Sequence, residues 1–449
     1  MNRKSILSGF LSLIVLSMFL VASFSGLPSH GVAYEDDWPM FQHDAAHTGY
    51  SSSGLHASIV SLWNASESSL ISNVAVAKNY VYFISSDKIF ALNASSGKLV
   101  WSSPNSLSNT NVMTECPTVV DGYVYTKYCA YNALTGQLML NYTRNGAYGS
   151  PTVADGVLLI NTNFGEEFGP DGLIALNAKT GVKIWDFKED SSGHMPGFMN
   201  HPPAIANGVV YFPCAGGVYA FSVQTGTQIW RVPINGFAGY VTVADGNVYC
   251  ALPENAYYGS GVFYCFDAST GDTKWTCHIP ATYQPSIANG IIYVGSNVLN
   301  ASTGKLIWNN TLRTHSQAIA GDIVYSVNFR HTYGREYSDV CEIHALNALT
   351  GDEKWNGTFL GLQNIQNLYP RFLAIANGTL YISQSFGEFG YSRVFCFGSA
   401  QPSSTVSPAP TSTPHQETQQ TEPVILEIAI TVTVLAIASG LLIYLIKRK

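Results

Sequence analysis

The chain has 449 residues, only 11% of them charged, and a formal net charge of −7. Removing the two hydrophobic ends, residues 1–33 and 424–449, takes away five of the 22 basic and one of the 29 acidic side chains, so the remainder is more acidic still. That balance excludes a nucleic-acid partner, whose phosphates require basic patches, while 26 Tyr and 22 Phe suit an all-β protein.

Residues 1–33 read as a signal peptide. Arg3 and Lys4 precede an apolar run from Ile6 to Phe24, and Gly31-Val32-Ala33 offers a cleavage site. An uncleaved membrane anchor is the alternative. Residues 34–58 form a lead-in rich in turn formers. Within it His43 and His47 stand four apart, a spacing that would share a metal on a helix. The segment has no helical pattern and no Glu between the two, so packing or capping accounts for them.

From residue 59 to 398 one phrase recurs: a small residue, Asn or Asp, then Ser/Thr-Gly and, four residues after the glycine, Trp. The glycines are Gly97, Gly136, Gly181, Gly226, Gly271, Gly304 and Gly351. The tryptophans are Trp101, Trp185, Trp230, Trp275, Trp308 and Trp355, with Leu140 in the second copy. An earlier half recurs too, as in Val153-Ala154-Asp155-Gly156 and Ile205-Ala206-Asn207-Gly208. Asp-Gly or Asn-Gly between β-branched runs marks a two-residue hairpin turn. Each unit is therefore expected to be four antiparallel strands, A to D, with the tryptophan on D packed between neighbouring sheets.

The ends of the array are complementary. Trp63 lies in a D-type strand with no A to C before it, and residues 373–397 supply A, B and C with no D after them. The N-terminal strand should complete the last sheet and leave no open edge. The expected fold is thus all-β: an eight-bladed β-propeller of four-stranded antiparallel blades, roughly 42 residues each.

Eight cysteines suit an exported chain. Cys250 with Cys265, on facing strands, and Cys116 with Cys129, within one blade, are candidate disulfides. Asn64, Asn141, Asn309 and Asn356 are candidate glycosylation sites in Asn-x-Ser/Thr. Asn93, Asn300 and Asn377 share that motif but occupy turn positions of the repeat. Residues 399–423 read as a Ser/Thr/Pro-rich linker. Residues 424–446 read as a transmembrane helix. The basic tail 447–449 then lies in the cytoplasm and the propeller outside the cell membrane, on a single pass.

The phrase resembles the repeat of the PQQ-like (quinoprotein alcohol dehydrogenase-like) propellers, over residues 59–398. Asp37-Trp38-Pro39-Met40-Phe41-Gln42-His43-Asp44 also looks like the lead-in of their exported members. The resemblance implies either of two roles. One is alcohol or sugar oxidation by pyrroloquinoline quinone (PQQ) with calcium. The other is non-catalytic scaffolding, as in the barrel-assembly lipoprotein. The enzymes of the eight-bladed class hold the quinone over a vicinal disulfide, and this chain has no adjacent cysteines. No catalytic residue, metal ligand or cofactor contact carries over, so none is expected.

Length variation is confined to the B–C and D–A connections, which share one face of the ring. Loops on a rigid scaffold are where binding concentrates. The candidate binding face comprises Phe164 and Glu166, His194 and His201, and Tyr257. Arg330, His331, Tyr333, Arg335 and Tyr337 follow, then Arg371 and Phe389. Aromatic residues mixed with Arg and Glu fit an extracellular protein or glycan partner. The reading is a cell-surface, membrane-anchored binding or scaffold module. A PQQ-dependent dehydrogenase with a divergent site and a glycan-processing surface protein are the alternatives.

Overall fold

The computed structural model describes residues 37–399 except 106–114, 143–146, 163–171, 190–200, 215, 235–238, 254–260, 280–283, 311, 313, 333–337, 364–367, 370–372 and 387–390. The expected signal peptide, linker, transmembrane helix and basic tail lie outside the described residues.

Eight separate sheets form the eight blades. Blade 1 comprises Ala75–Ala77, Tyr80–Ile84, Lys88–Asn93 and Leu99–Pro104, which are its strands A to D. Blades 2 to 6 repeat that order, each strand antiparallel to the next. Blade 7 adds a short parallel strand, Tyr50–Ser51, to the inner edge of Thr314–Ala320. Blade 8 is built from both ends of the described chain: Ile59–Glu67 pairs antiparallel with Tyr391–Ser399 as its strand D.

The repeat phrase is legible atom by atom. On strand C a small residue lies directly opposite the tryptophan: Ala91 opposite Trp101, Ala175 opposite Trp185, Ala220 opposite Trp230 and Ala345 opposite Trp355. Trp63, Trp101, Trp185, Trp230, Trp275 and Trp308 then lean on the next blade. The indole N–H of Trp63 donates to the Ala94 carbonyl at 2.8 Å, Trp101 to Ala133 at 3.0 Å and Trp185 to Val223 at 2.8 Å. The phrase glycine of the next blade sits against the indole. A Cβ on Gly226 would lie 2.6 Å from Trp185, and one on Gly97 would lie 2.6 Å from Trp63. Side chains of strand B reach the same carbonyls, as Tyr82 does at Ala133 and Tyr249 at Ala301.

Blade 2, which has Leu140 at the tryptophan position, substitutes another aromatic ring. Tyr142 is buried, its Cβ 3.6 Å from where a Cβ on Gly181 would stand. Its hydroxyl lies 2.7 and 2.8 Å from the Thr126 and Cys129 carbonyls.

The disulfide expectation is corrected. Cys116, Cys129, Cys250 and Cys265 are all free thiols. Cys250 pairs with Tyr264 and Cys265 with Tyr249, so the two cysteines are one residue out of step and face opposite sides of the sheet. Cys265 is in fact the small residue opposite Trp275. Cys129 opens strand C of blade 2, while Cys116 precedes strand A, with Tyr123–Tyr125 between them. Cys116 turns its sulfur to the Val74 carbonyl at 3.5 Å instead.

Candidate functional site around the central axis

Strand A of every blade presents its free edge to the axis, and the lead-in occupies that edge. Trp38 exchanges two hydrogen bonds with Val76 of blade 1, at 2.7 and 2.8 Å. The Pro39 carbonyl accepts from Val119 N of blade 2 at 2.7 Å. Ala45, Ala46, Thr48 and Gly49 accept in turn from Ile205, Val243, Ile287 and Ile319, in blades 4, 5, 6 and 7. These donors are the same position of the repeat. The lead-in therefore travels once around the axis and satisfies edge amides that would otherwise need water. It ends against blade 7, where the Tyr325 hydroxyl donates to the carbonyls of Leu55 and His56, 3.1 and 2.6 Å away.

Phe41 fills the middle of this arrangement, 3% exposed. Its ring stacks on Tyr240 at 5.8 Å and meets His47 edge-on at 5.2 Å. Tyr240 in turn lies against His201, with ring centroids 3.9 Å apart. The His201 carbonyl accepts from Asn161 Nδ2 at 2.8 Å. Thr242 Oγ1 lies 3.1 Å from the His47 carbonyl and 3.3 Å from Gln284 Nε2. Among the described residues, Asn161 Oδ1 and Gln284 Oε1 are buried without a hydrogen-bond partner. Burial holds both imidazoles neutral: the His201 pKa is pushed down to about 3 and that of His47 to about 4. Burial raises the Tyr240 hydroxyl to about 12. The cluster is aromatic and uncharged, a packed plug rather than an acid–base pair.

Between Pro39 and Ala45 the lead-in bows away from blade 3 through Gln42 and His43, both at positive φ. The gap is a cavity of about 890 Å³ on the short-turn side of the ring. Met40, His43 and Asp44 of the lead-in line one wall, and Val153, Ala154 and Asp155 of blade 3 another. His43 packs edge-on against Trp38 at 5.1 Å, and Asp44 caps Thr48 through both its amide and hydroxyl. The rings of His43 and His47 thus pack against Trp38 and Phe41.

Of the candidate binding face, His201 alone lies within the described residues with its side chain, and it is in the axial cluster, not on an open loop. Arg330 and His331 belong to strand B of blade 7, Ile323–Thr332. Phe164, Glu166, His194, Tyr257, Tyr333, Arg335, Tyr337, Arg371 and Phe389 lie outside the described residues. Sequence reasoning did not find Phe41, Tyr240, Asn161 or the cavity. The only signal was that Phe41 belongs to the lead-in motif.

The resemblance raises PQQ with calcium, and the described donor set does not fit that pair. A hard divalent cation needs several oxygen ligands converging on one point. The described buried carboxylates, Asp37, Glu115 and Glu189, are separated in the ring and already engaged. Asp37 accepts from Lys78 N at 3.1 Å, Glu115 is paired with Lys127 Nζ at 2.5 Å, and Glu189 takes the Tyr219 hydroxyl at 3.4 Å. No group of three or more His, Cys, Asp or Glu side chains poised for a metal occurs among the described residues.

Comparison with known proteins agrees with the geometry. Residues 108–298 match the family model of the outer membrane protein assembly factor BamB. The tetrathionate hydrolase of Acidithiobacillus ferrooxidans is 25% identical over 266 residues, covering 57% of this chain and 47% of that one. The chain therefore spans about half the length of that relative. Among solved structures, BamB from Moraxella catarrhalis superposes with a TM-score of 0.54 at 17% identity, covering 75% of this chain and 99% of its own. Quinohemoprotein alcohol dehydrogenase from Comamonas testosteroni does so with a TM-score of 0.62 at 14% identity, covering 89% and 85%. At these identities the solved structures speak for the fold. The described residues form an eight-bladed β-propeller, and residues 108–298 carry the repeat of that family model.

Proposed function

We propose that the protein is a membrane-anchored, surface-exposed propeller that acts as a non-catalytic binding or scaffold module for a protein partner. The observation that carries this reading is the lead-in. It fills the axis with the chain's own backbone and the buried Phe41 ring, and it spends the inner-edge amides of six blades. What remains for recognition is the outer surface: the long loops of one face and the cavity beside blade 3 on the other. The similarity of residues 108–298 to an assembly factor favours the same reading.

The test has two arms. Incubation with PQQ and calcium should give no quinone uptake and no dye-linked oxidation of alcohols or sugars; uptake with turnover would replace the scaffold reading by the dehydrogenase one. Cell-surface cross-linking should capture a defined partner, and replacing Tyr333, Arg335 and Tyr337 together by alanine should abolish that adduct. An unchanged adduct in the triple variant, with loss in an Ala206→Arg variant, would move the binding surface to the short-turn cavity, which Ala206 lines.

A further inference from the structure

We infer that Asn64, Asn141, Asn309 and Asn356 are sites of N-linked glycosylation, and that the attached sugars cover the outer strand edges of blades 8, 2, 6 and 7. The inference rests on the export reading above. Four independent blades place the same motif at the same structural position. Each asparagine directly follows the residue at the tryptophan position of strand D: Trp63, Leu140, Trp308 and Trp355. Successive side chains of a strand face opposite ways. Because the first of each pair turns inward against its neighbours, the asparagine turns outward, and all four are exposed.

The other three motifs differ in kind. Asn93 Oδ1 accepts the Ser96 amide at 3.0 Å, and Asn300 Oδ1 accepts the Ser302 and Thr303 amides at 3.1 and 3.0 Å. Asn377 sits at φ 50° in the turn before strand B of blade 8. Turn geometry accounts for these asparagines. On strand D, Asn356 Nδ2 donates to Glu353 Oε2 at 2.8 Å, and all four asparagines are nonetheless exposed.

Strand D also has a need for cover. It is the outermost strand of each blade, and its pairing register slips by one residue just before the tryptophan position. In three of the four blades the slipped residue is a large aliphatic one: Leu62 is 53% exposed, Met139 43% and Ile307 45%. Each lies two positions from its asparagine. A bulky hydrophilic sugar there shields apolar surface and blocks edge-to-edge pairing. In the transfer, the asparagine Nδ2 forms a bond to the anomeric carbon of a lipid-diphosphate-linked sugar. The carbon–oxygen bond to the diphosphate breaks, lipid diphosphate leaves and Nδ2 loses one proton.

The full chain would be expressed in a host that N-glycosylates secreted proteins and labelled on intact cells with an impermeant biotin reagent. Labelled protein would then be treated with peptide N-glycosidase in heavy-oxygen water and mapped by mass spectrometry. Conversion to isotopically marked Asp is expected at residues 64, 141, 309 and 356. The quadruple Asn→Gln variant should lose four glycan increments in electrophoretic mobility and bind more hydrophobic dye. Ser66→Ala and Thr358→Ala, which destroy two motifs but keep the asparagines, should each lose one increment. Surface-labelled protein with the four asparagines unmodified would overturn this inference and leave the export reading standing. Protein that escapes both label and sugar would overturn the export reading, and this inference with it.

Discussion

A blade tryptophan is held by three contacts that come from two different blades. Its own strand C offers a small residue, while the following blade offers a carbonyl and a glycine. The glycine is the sensitive member. Gly226 has φ 68°, where a side chain is strained, and its Cβ would also collide with Trp185. Gly122 has φ 82° with nothing within 4 Å. Gly122→Ala should therefore cost only backbone strain, about 1–2 kcal/mol. Gly226→Ala should cost about 2–4 kcal/mol, because overpacking adds to that strain. Urea denaturation of the two variants separates the terms; equal losses would mean that the indole contact does not matter. A second expectation concerns protons. His201 and His47 stay neutral in the fold, with pKa values of about 3 and about 4, below the ordinary 6.5. The unfolded chain takes up these protons first. Stability is therefore fully present above about pH 6.5 and falls as the pH drops through the window down to the folded values, by about 1.4 kcal/mol per pH unit for each histidine. The denaturation midpoint, followed from pH 7 to 4.5, should fall less steeply in His201→Gln than in the parent chain. The turn and tryptophan chemistry was readable from the sequence because each contact recurs in phase. The axial cluster was not, since His201, Tyr240 and Phe41 come from unrelated parts of the chain and none repeats.

At the scale of elements, the lead-in departs furthest from what residue patterns convey. It has almost no regular structure of its own, yet its carbonyls follow one amide position through the repeat, from Val76 to Ile319. No local pattern marks the path it takes, because its partners lie tens to hundreds of residues away. The pairing of Cys250 with Cys265 failed for a related reason. Strand membership was right, but a shift of one residue moves a side chain to the opposite face, and sequence spacing does not fix register across a hairpin that closely. The lead-in makes a distinct prediction. Phe41→Ala removes a buried ring and should destabilise the protein by about 3–5 kcal/mol. If the lead-in acts as one unit, amide exchange should quicken together at Val119, Ile205, Val243, Ile287 and Ile319, although these amides belong to five different blades. Faster exchange limited to Ile205 and Val243, beside the lost ring, would show that each contact opens on its own.

At the scale of the whole ring, stability depends on a joint between residues far apart in sequence. Ile59–Glu67 closes blade 8 by pairing with Tyr391–Ser399, and Trp63 from that strand seats against Gly97 and Ala94 of blade 1. Between Trp63 and blade 1 the chain runs on directly, as it does between other neighbouring blades; the break in the backbone lies inside blade 8, where Trp63 stands opposite Cys396 and its ring lies 6.1 Å from that of Tyr381. This feature could be anticipated from the leftover D strand at one end and the missing D strand at the other. A propeller without its closing strand exposes the edge of Tyr391–Ser399 and leaves blade 1 without a tryptophan from its neighbour. A chain beginning at residue 68 lacks both the strand and the lead-in, so it cannot test closure alone. Substituting Trp63→Ala is cleaner, since it keeps every backbone hydrogen bond of the joint. Loss of a large aromatic should cost about 3–5 kcal/mol. The same change at Trp185 removes a ring from a blade whose four strands follow one another in the chain. If closure limits the ring, Trp63→Ala should release strand D of blade 8 from strand C first, seen as early proteolytic cleavage near residues 59–67 and 391–399. Trp185→Ala should lower stability comparably without that local opening. Matching cleavage patterns in the two variants would show that blade 8 opens no more easily than blade 3, and that the joint between its two distant strands is as strong as a hairpin.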